Sequence, residues 1–432
     1  MQLHDRPSLM ILGSMDEFVE LVEHARARGV RTVVCDGYPD GPAKRAADVS
    51  YDIDIRDARA VADVCRREQV AGIVTAYSDL LAECAAAIAR EAELPFYLSP
   101  ERLATLRDKT LMKRMFDELG VPYPKTALVR RDSLEWDLAP LSFPVVTKPR
   151  NAWGSHGVFL LDSAGEVFER FDDVAAYSEG DSILVEEYND GYEFNMMTWV
   201  VDGGPVVLEI ADREKSRELP NVTPHVSRIV YPSVLTDLVI GEARDIVSRV
   251  AGYVGMEAGP LCMQFFWSPE RGIQVCECAG RVFGYEHELL ELATNGTLCV
   301  EDLLLDTALE PDLLASRLEG HDPHLARCAA GLYFHGYEGT VASVEGVPVP
   351  GVTEGVEQVI RYYEPGDVIS HAVGAKPYVV RAYLAAESRE RLDALTDEVF
   401  SAVSVTDESG HEMLYHSERA DYGRALARGG VR

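Results

Sequence analysis

A lysine at the end of an apolar strand precedes a loop of small residues. Lys148 follows the apolar run at residues 143–147, and the loop after it contains Gly154, Ser155 and Gly157. A lysine in this position can reach a phosphate, and glycine-rich backbone can offer N–H groups to the same phosphate. The loop lacks the Gly-Lys-Ser/Thr ending of a Walker motif. The segment is therefore a candidate phosphate site of another kind, although a hairpin with a solvated lysine explains it equally well.

Carboxylates lie on both sides of the following turn. Glu186, Glu187 and Tyr188 end a second apolar strand, the chain turns at Gly191, and Glu193 opens another strand. A strand edge flanked by carboxylates can bind the amino group and the hydroxyls of a nucleoside. Exposed glutamates in a very acidic protein are an equally good interpretation.

A glutamine and a glutamate are expected to meet on two neighbouring strands farther along. Gln264 and Glu277 flank a turn at residues 268–272, and their oxygens suit Mg²⁺ that is bound together with nucleotide phosphates. Arg281 lies four residues after Glu277, where its guanidinium can hold a phosphate or a carboxylate through two hydrogen bonds. The alternative is a structural ion pair between Glu277 and Arg281.

A polar segment separates these two pairs of strands. It contains Lys215, His225 and Arg228, and side chains of these types can hold an acyl phosphate or recognise a substrate. A solvated surface loop is the alternative interpretation.

The eight cysteines are too sparse and irregular for a disulfide framework. Cys276 and Cys278 form the close pair, and as alternate residues of a strand they are expected to face the same side. A soft-metal site is conceivable there, but we favour two small apolar side chains in a buried strand.

Strands and helices alternate up to residue 100, which predicts a parallel sheet with helices on both faces. The first helix has Ser14 and Glu17 at the spacing of a capping box. Beyond residue 144, β-branched and aromatic strands predict an antiparallel α+β fold, interrupted by a helix near residues 235–254. We expect an N-terminal α/β domain followed by three α+β units, at residues 1–105, 106–185, 186–310 and 311–432.

Composition excludes several classes of protein. The 432 residues include 41 Lys and Arg against 72 Asp and Glu, a net charge of −31, which disfavours nucleic acid and anionic membrane as partners. The hydrophobic fraction of 47% and the charged fraction of 26% are those of a globular protein. No apolar run is long enough to cross a bilayer, and the first residues lack a signal-peptide profile, so we expect a cytoplasmic protein.

The order and spacing of these motifs resemble the ATP-grasp superfamily of ligases over residues 9–305. In that family an N-terminal α/β domain precedes two α+β subdomains that grip ATP between them. The resemblance implies that ATP is bound by Lys109, Lys148, Gly154, Ser155, Gly157, Glu186, Glu187, Tyr188 and Glu193. The lysines and the loop would contact the phosphates and the adenine side, and the glutamates would take adenine and ribose.

The same resemblance implies that Gln264 and Glu277 bind Mg²⁺. Ala279 stands where the family usually has a third ligand, an asparagine, which leaves the number of bound Mg²⁺ ions open. The segment from Glu277 to Gly284 looks like the Glu-x-x-x-Arg-x-x-Gly signature of the amino-acid ligase branch. The candidate catalytic residues are Arg281, Lys215, Arg228 and His225.

The resulting hypothesis is an ADP-forming ligase that joins a carboxylic acid, expected to be an amino acid, to an amine through an acyl phosphate. Its partners would be these two small molecules, with ATP and Mg²⁺ as cofactors, and a homodimer is left open as its assembly. One alternative is a purine-biosynthesis or carboxylase-type ATP-grasp enzyme. Another is a regulatory protein that binds ATP without turnover, for which Ala279 is the argument.

Overall fold

The computed structural model describes residues 7–150, 157–178, 180–216, 225–284, 286–371, 376, 378–423 and 425. Across these ranges, no helix combines the length and the apolar character needed to cross a bilayer. All eight cysteines are free thiols.

The chain begins with a parallel sheet of strand order β3-β2-β1-β4, as the alternating pattern predicts. Buried aliphatic side chains of β1 and β2 pack against helices on the two faces. The elements are β1 Ser8–Leu12, α1 Phe18–Ala27, β2 Arg31–Asp36, α2 Pro42–Ala46, β3 Val49–Asp52, α3 Ala58–Arg67, β4 Val70–Val74 and α4 Asp79–Ala92.

The predicted capping box at the first helix does not form. Ser14 donates its hydroxyl proton to Asp36 Oδ2 at 2.8 Å, and Glu17 occupies the N-cap position of α1 without a side-chain capping hydrogen bond. Because Asp36 lies at the end of β2, the serine joins two strand ends and does not start the helix.

A small antiparallel sheet follows, with the strand order β5-β8-β6-β7. Helices α7 and α8 cover one of its faces with apolar side chains. The elements of this region are α5 Pro100–Arg107, α6 Lys109–Leu119, β5 Thr126–Arg130, α7 Leu134–Leu138, β6 Val145–Lys148, β7 Phe159–Leu161, α8 Ala164–Ala175 and β8 Ser182–Glu187.

A large antiparallel sheet forms the centre of the molecule, with the order β13-β12-β9-β10-β11-β14-β19-β17 among the described residues. Helix α9 packs on one face, and α10 and α11 lie between this sheet and the N-terminal sheet. Up to residue 317 the elements are β9 Tyr192–Val201, β10 Gly204–Lys215, β11 Val226–Tyr231, α9 Thr236–Val254, β12 Ala258–Ser268, β13 Gly272–Ala279, α10 Glu288–Ala293, α11 Val300–Leu309 and α12 Leu314–Arg317.

The C-terminal region adds strands to the same large sheet, because β14 pairs with β11 and then with β19. Its elements are β14 Cys328–Phe334, β15 Gly339–Thr340, β16 Ser343–Glu345, β17 Val356–Arg361, β18 Val368–Ile369, β19 Val380–Ala386, α13 Arg389–Ala402 and β20 Ser404–Thr406. The three domain boundaries predicted from the sequence stay a prediction, and the large sheet runs continuously across the one at residue 310.

Candidate active site

The first group of charges lies on the small sheet. Lys148 ends β6, and its Nζ donates a hydrogen bond to Glu186 Oε2 on the neighbouring strand β8. Lys113 Nζ, from α6, lies 2.8 Å from the other carboxylate oxygen of Glu186. Burial by itself would raise the pKa of Glu186, but the two lysines lower it to about 2. The carboxylate is therefore held ionised between two ammonium groups.

The second group lies on the large sheet, around Glu193 of β9. Arg213 Nε donates to Glu193 Oε1 at 2.8 Å, and Lys215 Nζ lies 2.6 Å from Oε2. Gln264 Nε2, from β12, also donates to Oε1, at 2.5 Å. Burial would raise the pKa of Glu193, whereas Lys215 and Arg213 hold it below its ordinary value.

The two groups face each other across one cleft. Lys148 Nζ on the small sheet lies 3.9 Å from Cys276 Sγ on β13 of the large sheet. Glu277 is the next residue and pairs in register with Gln264. Burial would lower the pKa of Lys148 and of Arg213, and neighbouring groups that include Glu277 hold both above their ordinary values.

A β-bulge decides the orientation of the two cysteines on β13. The register shifts between Gln264 and Phe265, so that Cys276 has no direct partner on β12. Cys276 thus turns towards Lys148, whereas Cys278 is buried in the apolar cluster under the sheet. The expectation that both thiols face one side is therefore wrong, and they do not form a shared metal site.

Arg281 pairs with the N-terminal domain. Its Nε and Nη2 donate to the two oxygens of Asp79 at 3.1 and 2.9 Å, and Asp79 is the first residue of α4. The structural ion pair with Glu277 that we considered is not among the hydrogen bonds of Arg281. Gly284 closes the same segment against the N-terminal domain, because a Cβ at this position would lie 2.9 Å from Glu17 Oε1.

Comparison of the sequence with models of protein families identifies the domain that contains most residues of this cleft. Residues 141–287 match the family model described as an ATP-grasp domain. The chain carries an ATP-grasp domain. The superfamily that the order of motifs predicted is therefore confirmed.

Curated relatives match part of this chain at low identity. The formate-dependent phosphoribosylglycinamide formyltransferase of Ignicoccus hospitalis is 24% identical over 253 residues, which are 57% of this chain and 62% of that enzyme. The enzyme of the same name from Nitratiruptor sp. is 29% identical over 196 residues, which are 44% of this chain and 50% of that enzyme. The match thus spans less than two thirds of either relative.

Solved structures resemble the whole chain in fold. An L-amino acid ligase from Bacillus licheniformis gives a TM-score of 0.77 at 20% identity, covering 93% of this chain and 99% of that one. An N5-carboxyaminoimidazole ribonucleotide synthetase from Thermotoga maritima gives 0.66 at 18% identity, covering 93% and 100%. The predicted fold class, α/β followed by α+β, is confirmed.

Two residues predicted as catalytic lie apart from the charges of the ATP-grasp cleft. Arg228 is fully buried, with Nη1 3.2 Å from Glu214 Oε1 and Nη2 2.5 Å from Asp393 Oδ1 of α13. His225 packs its ring against His335 and Tyr415 of the C-terminal region. The structure therefore brings Lys215 and Arg281 towards the cleft, but it does not bring Arg228 or His225 there.

The remaining predicted nucleotide residues are near the cleft or outside the described ranges. Lys109 opens α6 directly after its N-cap, Asp108, which accepts hydrogen bonds from two backbone N–H groups of the first turn. Glu187 accepts a hydrogen bond from Ser142 N at 2.9 Å, and the Tyr188 N–H donates to Pro144 O. Gly157 has a φ of +69°, and Gly154 and Ser155 lie outside the described residues.

Four residues of the ATP-grasp cleft were missed by sequence reasoning: Lys113, Arg213, Asn195 and Glu286. Lys113 lies one helical turn after Lys109, and Arg213 is the alternate strand neighbour of Lys215, so both had a periodic signal. Asn195 Nδ2 donates to both oxygens of the buried Glu286, at 2.8 and 3.1 Å. No local sequence signal predicts this last pair, because 91 residues separate its members.

The donor set fits ATP and Mg²⁺. Gln264 uses its amide nitrogen on Glu193, which leaves the amide oxygen available to a metal beside the carboxylate of Glu277. Ala279 offers no side-chain ligand and is buried. Lys148, Arg213 and Lys215 provide the positive charge that phosphates require.

Proposed function

We propose that this chain is an ADP-forming ligase that activates a carboxylic acid with ATP and joins it to an amine. The observation that carries the proposal is that charged side chains of the two sheets face each other. Lys148 Nζ on the small sheet lies 3.9 Å from Cys276 Sγ on the large sheet, and Glu277 is the residue after Cys276. A phosphate-binding cation from one sheet and a metal-binding carboxylate from the other thereby line a single cleft.

The chemistry requires these groups because a carboxylate is a poor electrophile. Transfer of a phosphoryl group to it creates an acyl phosphate, from which an amine displaces phosphate. Bound Mg²⁺ would neutralise charge on the transferred group, held by Glu277 and Gln264. Lys148, Arg213 and Lys215 supply fixed positive charge around the same position, and the reaction requires that water be kept from the acyl phosphate until the amine attacks.

Arg281 is proposed to hold the transferred phosphate or the acid. Its bidentate pairing with Asp79 fixes the guanidinium at the junction with the N-terminal domain. Lys215 is proposed to act beside it, since its Nζ is already directed into the cleft by Glu193. No nucleophilic side chain is needed for this reaction, because the phosphate of the acyl phosphate is itself the leaving group.

For the substrates, the curated relatives favour the purine-biosynthesis alternative over the amino-acid ligation that the Arg281 signature suggested. Their name specifies formate and phosphoribosylglycinamide. We therefore propose a small carboxylate as the acid and a phosphoribosylated amine as its acceptor. The likeness to the L-amino acid ligase concerns the fold, so amino-acid ligation remains the second candidate through the signature from Glu277 to Gly284.

The test is release of ADP and phosphate by the purified chain with three sets of substrates. These are formate with phosphoribosylglycinamide, mixtures of amino acids, and ATP alone. Release with the first pair supports the purine-type proposal, and release with amino acids alone supports the second candidate. ATP binding without release under any condition would support the regulatory alternative that Ala279 suggested.

The acyl phosphate can be tested directly with the acid that supports turnover. In the absence of the amine, hydroxylamine should trap the activated acid as a hydroxamate. Formation of AMP and pyrophosphate would contradict the mechanism, since it would show activation as an adenylate.

A further inference from the structure

Three side chains of different ligand types meet between two helices outside the ATP-grasp cleft. Helix α1 of the N-terminal domain packs beside α11, which lies between the N-terminal sheet and the large sheet. His24 lies in the last turn of α1, Cys299 is the N-cap of α11, and Asp302 lies in the first turn of α11. None of the three residues was assigned a role by the motifs of the sequence or takes part in the proposed reaction.

The distances between these side chains match a metal site. His24 Nδ1 lies 3.6 Å from Cys299 Sγ and 3.5 Å from Asp302 Oδ1. All three ligand atoms lie within 4.8 Å of one another. In tetrahedral zinc sites, Zn–S bonds of about 2.3 Å and Zn–N or Zn–O bonds of about 2.0–2.1 Å place neighbouring ligand atoms roughly 3.3–3.6 Å apart. The observed separations around His24 lie in that range.

The charged groups around these three side chains carry a net negative charge that a divalent cation can balance. Arg28 Nη1 lies 3.8 Å from Asp302 Oδ1, and Arg317 Nη1 lies 3.5 Å from Oδ2. Both guanidinium groups make closer contacts with Asp306, and Arg28 also contacts Glu310. Three carboxylates thus face two guanidinium groups, and a thiolate would add another negative charge. A divalent cation would balance the cluster.

Access from solvent also agrees with metal binding. The side chains of His24 and Asp302 are 36% and 30% exposed, so a cation can enter from solvent, whereas Cys299 is buried. Coordination by Cys299 displaces the thiol proton to solvent, so affinity should rise with pH.

A neighbouring cluster does not share these properties. His287 is close to Glu20 and Glu301, but its Nδ1 lies 3.2 Å from Glu288 and its Nε2 lies 3.1 Å from Glu301. Burial would lower the pKa of His287, and Glu288 and Glu301 raise it to about 10. An imidazolium fixed between two carboxylates has no lone pair for a metal.

We propose that His24, Cys299 and Asp302 bind one Zn²⁺ ion, with solvent as the fourth ligand, and that the ion joins the N-terminal domain to α11. A thiolate, an imidazole and a carboxylate suit zinc and exclude Mg²⁺ as the preferred occupant. The role is structural, because none of the three ligands lies on a strand of the ATP-grasp cleft.

The test uses Co²⁺ as a spectroscopic substitute for Zn²⁺ in the full chain, stripped of metal and without ATP. One equivalent of Co²⁺ should produce a sulfur-to-cobalt charge-transfer band and the visible bands of a tetrahedral site. Zn²⁺ should abolish these bands, and excess Mg²⁺ should not. Cys299→Ser should remove the charge-transfer band, whereas Cys328→Ser, a half-buried thiol elsewhere, should retain it.

His24→Gln provides a second variant, at a partly exposed position near the end of α1. It should lose the tetrahedral bands, and Zn²⁺ should raise the Tm of the parent and of Cys328→Ser but not that of His24→Gln. Absence of a thiolate band in the parent, or its persistence in Cys299→Ser, would overturn the proposal. These readouts need no turnover, so they are independent of the proposed ligase function.

Discussion

Strand β10 carries charged residues to two very different environments on its two faces. Arg213 and Lys215 point into the ATP-grasp cleft and bind Glu193. Their alternate neighbours, Asp212 and Glu214, point to the opposite face. There they contact Arg228 of β11 and Arg389 of α13, a group that we call the back-face ion network.

The two clusters differ in their exposure and in what closes them. The side chains of Arg213 and Lys215 are 20% and 22% exposed, whereas those of Glu214 and Arg228 are 0% exposed. The backbone N–H of Ala420 donates to Glu214 Oε2 at 3.1 Å, so the C-terminal segment closes the back face. The cleft has charges that a ligand can engage, whereas Glu214 and Arg228 of the back-face ion network are fully buried and contact protein groups.

This difference predicts opposite consequences for similar substitutions. A charge removed from the cleft should affect turnover more than stability, because solvent or the remaining partners can compensate. A charge removed from the back-face ion network takes hydrogen bonds from a buried partner that solvent does not reach, and such losses are destabilising.

The largest effect is expected for Lys148→Ala, which should reduce ATP-dependent turnover by on the order of 100-fold or more. The fold should survive, because Lys113 still neutralises Glu186. Steady-state kinetics together with circular dichroism measures both properties. Lys125→Ala, an exposed lysine at the edge of the same subdomain, is the matched control and should keep parental kinetics. Undiminished phosphate release by Lys148→Ala would remove the central residue of the nucleotide site.

Arg228→Met should lower the free energy of unfolding by about 1.5–3 kcal/mol and leave turnover little changed. The reason is that the fully buried Glu214 loses its hydrogen bonds to Arg228 and keeps only Arg389 as a guanidinium partner. Denaturant unfolding measures the loss, and Arg391→Met on the exposed side of α13 should change stability by no more than about 0.5 kcal/mol. A variant of Arg228 that kept its stability but lost turnover would restore the catalytic role predicted from the sequence.

Glu277→Gln should raise the Mg²⁺ concentration for half-maximal activity by about tenfold, because an amide lacks the full charge of a carboxylate. Gln264→Glu should lower it, since the new carboxylate lies beside Glu193 and a bound cation relieves their repulsion. Activity is measured against Mg²⁺ at saturating ATP. A parental Mg²⁺ response in Glu277→Gln would assign that glutamate a structural role.

The smallest effect concerns acid stability. Glu186 has a pKa of about 2 in the fold against 4.5 as its ordinary value, since Lys113 and Lys148 overcome burial. Its contribution to stability is therefore complete above pH 4.5 and is lost as pH falls through about 2. Tm measured against pH should fall less steeply in this range for Glu186→Gln than for the parent or for Glu408→Gln, an exposed control. Identical slopes would contradict the pairing in the cleft.

The sequence by itself determined the parts of this protein that depend on local pattern. Alternating strands and helices predicted the parallel sheet, and the helix predicted near residues 235–254 forms at Thr236–Val254. Strand ends and spacing singled out Lys148, Glu186, Glu193, Gln264 and Glu277 as candidates, and their roles stay a prediction. This works because backbone periodicity fixes which residues occupy a strand end or share a face.

Only the tertiary structure decided which partner each charged side chain has. Arg281 pairs with Asp79, 202 residues away, and Arg228 with Asp393, 165 residues away. A bulge turned Cys276 towards Lys148 and separated it from Cys278. Local pattern cannot predict such contacts, because the partner of a buried charge is set by the packing of distant segments, and the side chain follows whichever opposite charge that packing places within hydrogen-bonding distance.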